Sequence, residues 1–149
     1  MGSNFQLTID CRDPARLVAF WAPALGYEVQ PPPDGFDTWR KYWHSKGISD
    51  EELGEGDGSD RIVDPTGHGP RIWFQQVPEA KTIKNRLHLD LMASGGRAFE
   101  LEVRKERTDL AVERLLKAGA TTLRVLSEPG VDHYAVVMAD PEGNEFCVC

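Results

Sequence analysis

Two turns of the form Asp-Pro-x-Gly constrain this chain more than any other feature: Asp64-Pro65-Thr66-Gly67 and Asp140-Pro141-Glu142-Gly143. Proline presets φ, and the glycine accepts the positive φ that reverses a chain. The second turn lies between Tyr134-Ala135-Val136-Val137-Met138, an apolar strand, and Glu145 to Cys149, a short alternating one. The chain therefore closes on a hairpin. The inward residues of its last strand are either Glu145, Cys147 and Cys149, or Phe146 and Val148. The first turn leads into a strand from Arg71 to Val77.

Around these turns the chain repeats a plan. Phe5 to Cys11 alternates as a half-buried strand does. Asp13-Pro14 starts a helix as N-cap and first helical residue, and Gly26 ends it. Leu17, Phe20, Trp21, Ala24 and Leu25 form its apolar stripe. Tyr27 to Gln30 begins the next strand, stopped by Pro31-Pro32-Pro33. In the second half, Arg86 to Met92 alternates, Leu110 to Ala118 is a helix closed by Gly119, and Thr121 to Leu126 is a strand. Gln6 aligns with His88 and Gly26 with Gly119, with roughly a dozen extra residues, Ser94 to Arg107, in the second copy. Module one spans 5–78 and module two 85–149, within one domain covering 1–149. A helical insertion at 35–60 interrupts module one. There Asp37 caps a helix over Thr38 to Lys46, bearing Trp39, Tyr42 and Trp43. Ser49-Asp50-Glu51-Glu52 is a capping box, and Gly54 to Asp60 is a mobile acidic loop.

Composition narrows the class. At 149 residues the chain buries a core without disulfides. A formal charge of −7 argues against nucleic acid, whose phosphates need clustered Lys and Arg. No stretch has the length of a membrane span, and Met1 to Asn4 lacks the marks of a signal peptide. Three cysteines without Cys-x-x-Cys spacing fit a reduced, cytoplasmic protein.

The paired strands, the two Asp-Pro-x-Gly hairpins and Asp140-Pro-Glu-Gly-Asn-Glu-Phe146 together resemble the vicinal oxygen chelate superfamily, in its glyoxalase-like and bleomycin-resistance branch. Phe74 to Glu79 and Lys84 to Leu91 are similar to an uncharacterised bacterial glyoxalase-like subgroup. The resemblance implies an α+β fold of two βαβββ modules, cupped mixed sheets around a cleft. It implies metal ligands from the first and last strands of each module, which here are Gln6, His88, Gln75 and Cys147. The family pattern has a carboxylate at both last-strand positions, and this chain has Gln75 and Cys147. The implied cofactor is therefore one divalent ion (Zn, Fe, Mn or Ni) on His88, Gln6 and Cys147, or none.

Asp90, two residues from His88 on one strand face, is read as a general base or as the residue orienting His88; pairing with Arg86 or Lys84 is the alternative. For Cys147 the favoured alternative to a ligand is a small buried apolar residue, and Cys11 is read the same way with less to suggest function. Gln6 and Gln75 are placed as substrate contacts, with Trp39 or Tyr42 from a lid and Tyr134 from a loop at the cleft rim. The expected function is a lyase or isomerase acting on a small oxygenated metabolite, with His88 and Asp90 catalytic. The rival reading is a metal-free protein that sequesters a small molecule or antibiotic. A homodimer is expected on the resemblance.

Overall fold

The computed structural model describes residues 3–149. The chain forms two compact units, one ending at Ala80 and the other starting at Lys81. The first contains β1 (Gln6–Cys11), α1 (Pro14–Leu25), β2 (Glu28–Val29), α2 (Trp39–Ser45), α3 (Asp50–Leu53), β3 (Arg61–Val63) and β4 (Arg71–Gln76). The second contains β5 (Asp90–Leu91), α4 (Leu101–Lys117), β6 (Thr121–Leu126), β7 (Ala135–Ala139) and β8 (Glu145–Val148). Each unit builds one four-stranded mixed sheet, in the order β1-β4-β3-β2 and β5-β8-β7-β6. In both, the first strand lies parallel to the last and every other pair is antiparallel. The fold is α+β and the βαβββ plan occurs twice. Among the described residues, no helix is long and apolar enough to cross a membrane.

The two turns work by the same chemistry. Asp64 accepts hydrogen bonds from the backbone N–H of Thr66 at 2.9 Å and of Gly69 at 2.7 Å. Asp140 accepts from the backbone N–H of Glu142 at 2.9 Å and of Asn144 at 3.0 Å, and from the Asn144 side chain at 2.9 Å. Each carboxylate satisfies the N–H groups that the reversal strips of ladder partners. Gly67 and Gly143 take φ of 74° and 87°, where a side chain would be strained. Asp140 is 3% exposed, so its bonds form away from water.

Helix α1 starts as its sequence dictates. The Asp13 carboxylate accepts from Arg16 N–H at 3.1 Å, Pro14 opens the first turn, and Gly26 closes the helix in the left-handed region. Its buried face is Leu17, Val18, Phe20, Trp21 and Ala22, against a sheet core of Ile62, Ile72 and Phe74. Ala24 and Leu25, expected in the stripe, are only half-buried. A helix lying flat on a sheet buries a broad band, and here that band is centred ahead of Pro23.

Four further expectations are corrected. Thr38, not Asp37, caps α2, because its hydroxyl reaches Lys41 N–H at 3.2 Å while Asp37 pairs with the Lys41 ammonium at 2.5 Å. The acidic loop after α3 is tied down: Arg40 donates to the carbonyls of Gly54 and Gly56, and Ser59 is buried. Strand β5 covers only Asp90–Leu91 instead of Arg86 to Met92. Its ladder is cut short because Glu145 N–H donates to the Asn85 side chain at 3.1 Å, where a longer strand would offer a carbonyl. Helix α4 begins at Leu101, so much of the supposed insertion is helix. Its first half buries Arg104 and Thr108, both polar, and a polar buried face leaves no apolar periodicity to read.

The insertion in the first unit is pinned by aromatic rings. Trp39 Nε1 donates to Gln30 O at 2.6 Å and Trp43 Nε1 to Gly58 O at 3.2 Å. The Arg61 guanidinium lies 5.2, 5.7 and 5.6 Å from the ring centroids of Trp39, Trp43 and Trp73. Such contacts reward a partly desolvated cation.

Two stability outcomes are expected. Asp140→Ala strands the buried N–H groups of the second turn and lowers unfolding free energy by about 2–4 kcal/mol, read in urea denaturation. Asp64 is held below the ordinary carboxylate range, first by the Thr66 N–H and then by the Gly69 N–H. A depressed folded pKa gives stability that is complete above the unfolded value and lost as pH falls through the folded one. The stability gap between wild type and Asp64→Asn therefore narrows on acidification below about pH 4, measured as thermal midpoints along a pH series.

Candidate metal centre

The last strand sorts its side chains by simple alternation. Phe146 and Val148 are 1% and 0% exposed and enter the core of the second unit, on which α4 packs. Glu145 and Cys147 point to the opposite face and are half-buried. In the parallel register Asp90 stands beside Cys147 and Leu91 beside Val148. Cys147 N–H donates to Leu89 O at 2.9 Å, which carries the pairing one residue beyond β5. His88 precedes Asp90 by two residues, so imidazole, carboxylate and thiol emerge from one face.

These three converge. His88 Nε2 lies 3.3 Å from Asp90 Oδ1. The ligand atoms of His88, Asp90 and Cys147 all lie within 4.8 Å of one another, and no other such group of His, Cys, Asp or Glu occurs among the described residues. His88 and Asp90 are solvent-accessible. Burial pushes the Cys147 thiol up, and the Asp90 charge and a hydrogen bond from the thiol to that carboxylate push it further. The raised pKa favours the protonated thiol near neutral pH. Beside the trio, Lys84 Nζ bridges Glu145 Oε2 at 2.5 Å and holds that carboxyl below its usual range. Asp90 thus pairs with His88, and Lys84 is taken by Glu145. Cys147 is half-buried beside a carboxylate and an imidazole, which departs from a small apolar core residue.

The donor set suits a zinc-type ion. Imidazole nitrogen, thiolate sulfur and carboxylate oxygen are its normal ligands, and three protein ligands leave a position open. The thiolate argues against Mg and Ca, which take oxygen. A bound cation would strip the thiol proton despite the raised pKa, because a coordinating thiol ionises outright.

The other candidates have different surroundings. Gln6 and Gln75 belong to the first unit, Gln6 on β1 and Gln75 on the neighbouring β4. There Gln6 Oε1 accepts from Arg71 Nε at 2.6 Å and Gln6 Nε2 donates to Thr8 Oγ1 at 3.3 Å. Trp39 is 4% exposed, anchored through its indole N–H, and Tyr42 packs edge-on against Phe36 and Trp39 at 5.3 and 5.6 Å between centroids. Tyr134 donates its hydroxyl to Asp109 on α4 at 2.6 Å, and burial followed by that carboxylate pushes its pKa up to about 12. Tyr134 is thus bound to the helix. The residue that the sequence reading left out of the ligand set is Asp90. A His-x-Asp on an alternating strand is the signal that could have included it.

A family model described as glyoxalase-like domain matches residues 6–149. The chain belongs to the glyoxalase-like domain family. No curated protein matches the sequence. Among solved structures, a glyoxalase/bleomycin resistance protein/dioxygenase family enzyme from Burkholderia phytofirmans PsJN is 19% identical, with 96% of this chain and 94% of that chain covered and a TM-score of 0.55. Fosfomycin resistance protein FosX from Mesorhizobium loti is 10% identical over 99% of this chain and 91% of that one, with a TM-score of 0.55. A mutant form of FosX from Listeria monocytogenes, complexed with Mn(II) and 1S,2S-dihydroxypropylphosphonic acid, is 11% identical over 99% and 90%, also at 0.55. At such identities the likeness is one of fold. This glyoxalase-like chain therefore has the glyoxalase/bleomycin-resistance fold of the vicinal oxygen chelate superfamily.

The Asp90 charge has a direct readout. Asp90→Asn lowers the Cys147 pKa, so alkylation of that thiol near neutral pH speeds up, followed by peptide mass spectrometry with buried Cys11 as the slow internal reference.

Proposed function

We propose that this protein is a metal-dependent enzyme of lyase or isomerase type, acting on a small oxygenated metabolite at the His88–Asp90–Cys147 face. The observation that carries this reading is the convergence of N, O and S ligand atoms within 4.8 Å on an accessible sheet face. An ion held there would supply Lewis-acid polarisation of a substrate oxygen. His88 would hold the ion through Nε2, the atom that faces Asp90. Asp90 has two oxygens: one would join His88 and Cys147 as the third ligand, and the other, released by the ionised thiol, would take a proton from a carbon next to the polarised oxygen. Cys147 holds its place through the β8 ladder and, ionised, offsets the charge of a divalent ion. The Mn(II) complex of the Listeria FosX supports the superfamily's use of a divalent ion; the thiolate here favours zinc over manganese.

A second reading has its own support. Without an ion, the trio is already internally satisfied, with the thiol on Asp90 and Asp90 on His88. That suits a metal-free protein that binds a small molecule or antibiotic without turning it over. We further read the chain as a homodimer in a reducing, cytoplasmic setting. Leu123 and Val125 stand half-exposed on the edge strand β6, a surface for a second copy. Cys147 and Cys149 carry free thiols.

Metal analysis separates the two functions. Protein purified without chelator and dialysed against zinc is expected to hold one ion per chain. His88→Ala and Cys147→Ala are each expected to weaken zinc binding by roughly 100-fold or more, since one of three ligands is lost. Wild-type protein that holds no zinc, yet binds a small organic ligand, would replace the enzyme with the sequestering protein.

A further inference from the structure

The row of side chains that holds Asp90 and Cys147 runs on across the second sheet. Asp90 pairs with Cys147, Cys147 with Val137, and Val137 with Arg124 on β6. Directly paired residues put their side chains on one face. Arg124 therefore emerges on the face of the ligand trio. A break in the ladder is what puts it there. Thr121 and Thr122 pair with Ala139 and Met138; the register then shifts by one, so that Val137 meets Arg124 instead of Leu123. In an unbroken ladder Arg124 would oppose Val136, which is buried and pairs with Val148 on the core side. The extra residue turns the arginine from the core face to the face of His88, Asp90 and Cys147.

Arg124 is exposed, and its side chain forms no hydrogen bond or ion pair among the described residues. Lys84, by contrast, is held by Glu145, and Lys81 by the Ile83 carbonyl. Neighbouring strands stand about 4.8 Å apart, so two such steps separate Arg124 from Cys147. Only Val137 lies between them, and the long arginine stem lets the guanidinium reach over one apolar neighbour. A charge on an edge strand also discourages pairing with another chain. That role needs neither a register shift nor a particular face.

Resting on the enzymatic reading of the trio, we propose that Arg124 determines specificity, selecting substrates that carry a carboxylate a few bonds from the oxygen held at His88, Asp90 and Cys147. The planar guanidinium takes a carboxylate through two parallel hydrogen bonds. The oxygen over the trio and the carboxylate over Val137 then lie at the two ends of one small molecule. Arg124 makes and breaks no bond; it fixes which carbon stands beside Asp90. In a chain of formal charge −7, one unpaired guanidinium beside an anionic trio suits a monoanion better than a phosphate dianion. The substrate class is therefore a small hydroxy or oxo acid.

The test is ligand-observed NMR titration of the full chain, zinc-dialysed and zinc-free, with three probes: glycolate, β-hydroxypropionate and γ-hydroxybutyrate. Each is compared with the uncharged diol of the same carbon skeleton. Wild type is expected to bind at least one acid about tenfold more tightly than its diol, and less tightly at high salt. Arg124→Gln should bring that acid down to the affinity of its diol, leaving diol binding and zinc content as in wild type. Arg124→Lys should recover part of the preference, because it keeps the charge and loses the fork. Circular dichroism melts confirm that both variants are folded. The proposal is overturned if no acid binds better than its diol, or if Arg124→Gln keeps the preference. It is equally overturned if methyl phosphate, titrated beside the acids, shows the larger Arg124-dependent gain. Wild type that holds no zinc yet keeps an Arg124-dependent preference for an acid would sink the enzymatic reading and leave the carboxylate site standing. Zinc bound through His88 and Cys147 with no preference for any acid would do the reverse.

Discussion

Asp140 sits almost fully buried between β7 and β8, taking hydrogen bonds from the backbone of Glu142 and from both the backbone and side chain of Asn144. That turn sets the register in which Ala139 faces Glu145 and Val137 faces Cys147. In a strand with a period of two, register decides which face every side chain takes, and a slip of one residue exchanges them all. Here it sends Phe146 and Val148 into the core and leaves Cys147 outside, beside Asp90. The core and the candidate chemistry are thus two consequences of one turn.

The duplication extends this logic. Asp64 performs the same service for β3 and β4, and both sheets place their first strand parallel to their last. The two copies then diverge. The matching strands of the first sheet carry Gln6, Thr8, Asp10, Trp73 and Gln75, which are polar or aromatic but poor in anionic donors. Those of the second carry His88, Asp90 and Cys147, with sulfur continuing through Met92 and Cys149. One scaffold, repeated, has its ligand chemistry concentrated in one copy.

Electrostatics on that face is balanced by short-range pairing. Lys84 neutralises Glu145, leaving Asp90 as the carboxylate that interacts with His88 and the thiols. Burial and the Asp90 charge both favour the protonated Cys147 thiol, so a cation held there would have to displace that proton as it bound.

Much of the fold was legible in local residues. Asp13-Pro14 and Gly26 bounded α1, Ser49 and Glu52 formed their capping box, and Thr121 to Leu126 became β6 unchanged, because caps, prolines and positive-φ glycines act within a few residues. The start of α4 was hidden because its first turns bury Arg104, whose partners Phe99 and Asp132 are supplied by neighbouring loops. Strand β5 was overread because Asn85, which caps its ladder, acts through a contact with distant Glu145. Alternation alone showed that Cys147 and Cys149 share a face and that His88 and Asp90 share another. Only tertiary pairing of β5 with β8 made those faces one, since the choice of strand neighbour rests on hydrogen bonds between segments far apart in the chain.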